Sequence, residues 1–181
     1  ILTSVMVVPY RDPILTAKLV STIDVMSGGR VTLGCGAGWM EEEFVAVNAP
    51  PFKELGKVTD EYIMAFPELW MAENPTFKGE YTEFSDIFFA PKPVQTPHPP
   101  IWIGGESMPA IRRTARLGDA WYPIGCNPHH PLDTVKRFSA GLDSLKAEAE
   151  KIDRDPASID LAFWAVWYGG NTPTMLDSGE R

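Results

Sequence analysis

Only two cysteines and three histidines occur in the 181 residues. Cys35 and Cys126 are too few for a disulfide scaffold; they are expected as thiols in a reducing, cytoplasmic setting. His98 lies among prolines and His129-His130 in a loop. No histidine pair has metal-ligand spacing with a third ligand, so no metal is expected. Basic side chains are also scarce: 16 Lys and Arg face 24 Asp and Glu, a formal net charge of −8. A surface of that sign repels phosphate backbones and anionic lipids, which argues against nucleic-acid and membrane partners. No apolar run approaches the ~20 residues needed to span a bilayer. An initiator Met is missing as well. The chain opens Ile1-Leu2-Thr3-Ser4, inside a strand-like run, and is expected to be a piece of something longer. What is present, 44% hydrophobic and 22% charged residues, suits a folded globular domain.

Residues 2–8 are β-branched and apolar nearly throughout, which suits a buried parallel strand. The run stops at Pro9-Tyr10-Arg11-Asp12-Pro13, where Asp12 reads as an N-cap and Pro13 as the first helical residue. The helix carries Leu15, Leu19, Ile23 and Met26 on one face and leaves Lys18, Thr22 and Asp24 available to solvent. Gly28-Gly29 ends it. Residues 31–34 read as a second strand. A helix is expected over 58–71, kinked or delayed by Pro67. Phe77-Lys78-Gly79-Glu80-Tyr81 reads as a turn between short strands, and residues 72–100 as an inserted segment.

A third strand spans 101–103, and Ser107 caps the helix behind it, with Ile111 and Ala115 inward and Arg112, Arg113 and Arg116 outward. Further strands are expected over 120–122 and 161–168, separated by a helix over 133–151 whose apolar positions are Val135, Phe138, Leu142, Leu145 and Ala149. The order β-α-β-α-β-α-β-α-β requires parallel strands, so the class is α/β, either a (β/α)8 barrel or a doubly wound sheet. Both put ligands at the C-terminal ends of their strands.

Glycines collect at those ends. Gly34-Cys35-Gly36-Ala37-Gly38-Trp39 follows the second strand. It lets backbone approach a ligand, or it fits a tight turn; it lacks the spacing of the dinucleotide fingerprint. Gly104-Gly105-Glu106-Ser107 leads from strand to capped helix and resembles an anion site, with a plain cap as the alternative. These two strand ends are expected to converge at one mouth. Glu41, Glu42 and Glu43 read as a solvated acidic turn. Trp102, Trp121, Trp164 and Trp167 read as core or rim aromatics.

The run from Asp24-Val25-Met26-Ser27-Gly28-Gly29-Arg30 through Gly34-Cys35-Gly36-Ala37-Gly38-Trp39, with Glu43-Phe44 behind it, resembles the luciferase-like monooxygenase superfamily. Pro91-Lys92-Pro93-Val94-Gln95, then Pro99-Pro100-Ile101-Trp102-Ile103-Gly104-Gly105, then Ala115-Arg116-Leu117-Gly118-Asp119-Ala120-Trp121 resemble it in the same order. The resemblance covers about residues 2–125 and is nearest to the branch that uses coenzyme F420.

It implies a (β/α)8 barrel with a flavin or deazaflavin at the C-terminal mouth and hydride chemistry on a small-molecule substrate. A homo-oligomer is also expected. It implies a non-prolyl cis peptide, which falls at Ser4-Val5. It implies that Ser4, Val5, Gly36, Ala37 and Trp39 line the ring and that Gly104, Gly105, Glu106 and Ser107 hold the phosphate. Leu55 and Val58 stand where the family usually has arginines, with Lys57 the nearest replacement, Asp60-Glu61 retained, and Pro67 in place of a basic residue. Such barrels run to ~250 residues. Five strands, by family order the third to the seventh, make this a partial barrel, and no catalytic residue is nominated. The expected activity is hydride transfer with F420. The rivals are an FMN-dependent monooxygenase, a non-catalytic flavin-binding protein and an inactive fragment.

Overall fold

The computed structural model describes residues 1–164. The chain divides into two compact units, Ile1–Ile101 and Trp102–Arg181. Trp167, the far half of the strand expected over 161–168, and Gly169-Gly170 lie outside the described residues.

In the first unit, β1 (Met6–Val7) and β2 (Leu33–Gly36) pair in parallel, Met6 with Cys35 and Val7 with Gly36. The strand expected over 2–8 is thus only partly a strand. Leu2 makes an isolated bridge to Thr32, the Ser4–Val5 peptide is cis, and residues Val8–Tyr10 turn into a 3-10 helix. Between the two paired stretches the Thr3 hydroxyl bonds both the N–H and the carbonyl of Gly34, at 2.9 and 3.0 Å. That side-chain contact replaces ladder pairing.

Helix α1 (Pro13–Ser27) starts as its sequence requires: the Asp12 carboxylate accepts the Leu15 N–H at 2.9 Å, and Pro13 leads the first turn. Its orientation overturns the sequence expectation. Leu15, Leu19, Ile23 and Met26 are exposed, whereas Thr16, Ala17, Val20, Ser21 and Asp24 are buried. Small residues let α1 approach α3 (Leu55–Met71), close enough for the Trp70 indole N–H to donate to the Ala17 carbonyl at 3.0 Å. Asp24 also has inward partners. Its carboxylate accepts the N–H groups of Val94 and Gln95 and the Gln95 side-chain amide, at 2.9, 3.1 and 2.7 Å. Three donors waiting in the interior outweigh the exposure of an apolar stripe.

A short α2 (Glu41–Ala46) replaces the expected acidic turn. Helix α3 begins at Leu55, so Pro67 does not delay it, and it runs through that proline to Met71. On it, buried Glu61 accepts the N–H groups of Glu80, Tyr81 and Thr82, each at 2.7 Å. This holds the antiparallel hairpin of β3 (Phe77–Lys78) and β4 (Glu83–Phe84) within the segment 72–100. The Lys92 ammonium donates to the carbonyls of Leu69 and Ala72, at 2.8 and 2.6 Å, and satisfies the C-terminal end of α3. Burial pushes the Lys92 pKa down.

β5 (Ile101–Gly104) pairs in parallel with β6 (Ala120–Tyr122), which pairs in parallel with β7 (Asp160–Leu161). The second unit packs its core from Ile111 and Ala115 on α4 (Met108–Leu117), Trp121 on β6, Leu132 in the loop after it, Leu145 and Ala149 on α5 (Val135–Glu150), and Ile159. Phe138 stacks on Trp121 at 5.7 Å. The spacing read for α5 holds at Leu145 and Ala149, but Val135 at its start is exposed. Arg113 is buried, contrary to the expected solvated face. The Arg154 guanidinium donates to the carbonyls of Ala115 and Gly118, at 3.0 and 2.8 Å, and closes the end of α4.

Candidate functional site

The C-terminal ends of β1 and β2 lie together in the first unit, because Val7 and Gly36 are ladder partners. A Cβ on Gly34 would stand 1.9 Å from the Thr3 carbonyl oxygen, and one on Gly36 would stand 2.7 Å from Val5 Cγ2. These glycines are therefore set first by the close approach of the opening segment. The consequence is local and chemical: the Val5 side chain is seated directly on the end of β2. Ala37 is half-buried, and the Trp39 side chain is 79% exposed just beyond. Val5 thus lies against Gly36 at the end of β2, with Ala37 and Trp39 following in sequence and Ser4 joined to Val5 by the cis peptide.

Two residues there escaped the sequence reading as a pair. The Tyr10 hydroxyl donates to Glu43 Oε2 at 2.5 Å, while its ring meets Phe44 edge-on at 5.0 Å. Burial first, and then the Glu43 carboxylate, push the Tyr10 phenol up to about 12. The signal available in sequence was slight: a tyrosine after one strand and a glutamate after the next.

In the second unit, Gly104 ends β5, and Gly105, Glu106 and Ser107 form the turn into α4. Gly105 has φ +110°, a conformation that excludes ordinary side chains. The Trp121 indole N–H donates to its carbonyl at 2.9 Å. The Ser107 hydroxyl accepts the Ala110 N–H at 3.4 Å. Glu106 is 7% exposed, and both of its oxygens accept hydrogen bonds, from the Ile124 N–H and from Asn127 Nδ2, each at 2.6 Å. Its side chain therefore serves the protein. What the turn offers an anion is backbone N–H and the Ser107 hydroxyl, with the positive end of α4 behind them. Lys57, the nearest replacement for the family's arginines, pairs with Glu54 at 2.9 Å on the surface of the first unit.

Among the described residues, no group of three His, Cys, Asp or Glu side chains is gathered to hold a metal ion. No described helix is long and apolar enough to cross a membrane.

The pattern of the luciferase-like monooxygenase family matches residues 1–175. The chain belongs to that family. An FMNH(2)-dependent dimethylsulfone monooxygenase of Pseudomonas putida is 34% identical over 140 residues, 76% of this chain and 37% of that protein. Among solved structures, the monooxygenase RslO1 of Streptomyces bottropensis superposes with a TM-score of 0.74 at 22% identity, covering 90% of this chain and 48% of that one. An F420-dependent secondary alcohol dehydrogenase in complex with an F420–acetone adduct gives 0.73 at 22% identity, with the same two coverages.

The fold is accordingly that of the luciferase-like TIM-barrel enzymes, with five parallel strands among the described residues. The chain spans between a third and a half of the length of these three proteins. One of these similar proteins is FMNH(2)-dependent and another is F420-dependent, so the comparisons leave the cofactor open.

Proposed function

We propose that the protein is an oxidoreductase that transfers a hydride between coenzyme F420 and a small organic substrate. Residues 1–181 would form one partial barrel domain, with 72–100 inserted between barrel strands. The observation that carries this reading is the Val5 side chain seated on Gly36, with the exposed Trp39 indole beyond. An apolar side chain on a glycine strand end, with an exposed indole three residues onward, suits a planar ring system. Ser4, Val5, Gly36, Ala37 and Trp39 would line that ring. Gly104, Gly105, Glu106 and Ser107 would take the phosphate, Glu106 through its backbone.

When bound, the cofactor supplies the hydride chemistry. The chain binds it, orients it and keeps water from one ring face. Membership in a family of oxidoreductases supports the enzymatic reading. The cofactor could instead be FMN, a reading favoured by the 34% identity to an FMNH(2)-dependent monooxygenase. A cytoplasmic setting and a homo-oligomer complete the proposal; the exposed apolar face of α1 supports the latter.

Fluorescence titration of the chain with F420 and with FMN tests the reading. Saturable binding of F420 is expected. Preferential binding of FMN favours the monooxygenase reading, and retention of a flavin without turnover favours a binding protein. Binding of neither overturns the proposal.

A further inference from the structure

Glu106 is a buried carboxylate whose two oxygens are both engaged by the loop that follows β6. Asn127, which donates Nδ2 to Glu106, accepts the His129 N–H on Oδ1 at 3.0 Å. The relay has one direction. An ionised carboxylate only accepts, so the Asn127 NH₂ must face Glu106 and its oxygen must face His129. Farther along, the Leu132 N–H donates to the Gly125 carbonyl at 3.1 Å. Between Pro123 and Leu132 the chain has neither helix nor a strand of the sheet, apart from the bridge of Ile124 to Trp164. Such a loop is ordered by the side chains that hold it.

We infer that Glu106 is a positioning residue: it ties loop 124–130 to the turn 105–107, so that two strand-end segments of the second unit form one preordered surface. Bonds from a backbone N–H and a side-chain amide to a buried carboxylate are stronger than neutral ones. Ligand binding at the turn then avoids the entropy of ordering the loop. This consequence for affinity rests on the proposed cofactor reading; the ordering of the loop does not.

Hydrogen exchange on the 181-residue chain separates the two. In Glu106→Ala, amides of 124–130 are expected to exchange at least about tenfold faster, with those of α5 unchanged. Glu106→Gln keeps an acceptor for Ile124 but turns an NH₂ toward Asn127. It is expected to protect Ile124 and release His129, as Asn127→Ala should also do. The last two variants decide the matter if the alanine variant fails to fold. Titration with F420 and FMN should show weaker binding in Glu106→Ala, with Glu106→Gln between it and the parent.

Unchanged loop exchange in Glu106→Ala overturns the inference. So does weakened cofactor binding with the loop still protected, which would make Glu106 a direct ligand. If the parent chain binds neither cofactor, the cofactor reading fails, and the exchange pattern still decides what Glu106 does.

Discussion

The two ends of the first unit are built from opposite materials. Where helices return to strands, charged side chains hold the chain, Asp24 fully buried and Lys92 half-buried. Asp24 gathers the amides of Val94 and Gln95, and Lys92 takes the last carbonyls of α3. Where strands end, the contacts are glycine against apolar side chain, with Val5 on Gly36 and Trp39 open to solvent. The first end fixes the scaffold, because a buried charge that loses its partners is costly to the fold. The second end has few polar commitments of its own, which fits the ligand site proposed there. In barrels of this kind, such a division separates stability from chemistry.

Variants at the two ends should therefore fail differently. Asp24→Ala strands three donors at a fully buried site. It is expected to lower stability by about 4 kcal/mol, read as a lower urea midpoint. Arg154→Ala, the matching charge in the second unit, uncovers the end of α4 and is expected to cost about 2–3 kcal/mol by the same measurement. Gly36→Ala sets a methyl group 2.7 Å from Val5 Cγ2. About 1–3 kcal/mol of stability should go, together with a clear loss of F420 or FMN affinity. Trp39→Ala, at an exposed position, should move stability by no more than about 0.5 kcal/mol while still weakening cofactor binding. A stability loss at Trp39 as large as that at Asp24 would erase the contrast.

The smallest effect concerns pH. The Tyr10 phenol is raised from its ordinary 10.0 to about 12. The folded chain therefore keeps that proton in a range where the unfolded chain releases it. The contribution is fully present below pH 10 and is lost as pH rises through about 12. Burial first also raises the phenols of Tyr62 and Tyr81, so the late-ionising absorbance of an ultraviolet titration should shrink by one phenol in Tyr10→Phe, whose stability should fall less between pH 9 and 11.5.

The sequence reading succeeded where a signal is local. Asp12 and Ser107 cap the helices assigned to them. The strands expected at 31–34, 101–103 and 120–122 overlap β2, β5 and β6. It failed where distant chain decides. Leu15, Leu19 and Ile23 form a stripe at perfect helical spacing, yet α1 faces inward through Ala17 and Asp24. Periodicity names a face and cannot say that Trp70 and Gln95 wait for the other one. Arg113 was misplaced as well, being buried on α4. Of the strand ends, the glycines and Trp39 were legible. The engagement of Glu106 by a loop about 20 residues onward was not, because nothing local marks a carboxylate whose donors lie that far along the chain.

The central claim is that the strand ends, and not the charged clamps, receive the cofactor. Hydrogen exchange of the chain with and without saturating F420, repeated with FMN, tests it most directly. Slower exchange at the amides of 36–39 and 105–107, with those of Val94 and Gln95 unchanged, is the predicted result. Protection confined to the region of Asp24, Val94 and Gln95, or no protection with either cofactor, would contradict it.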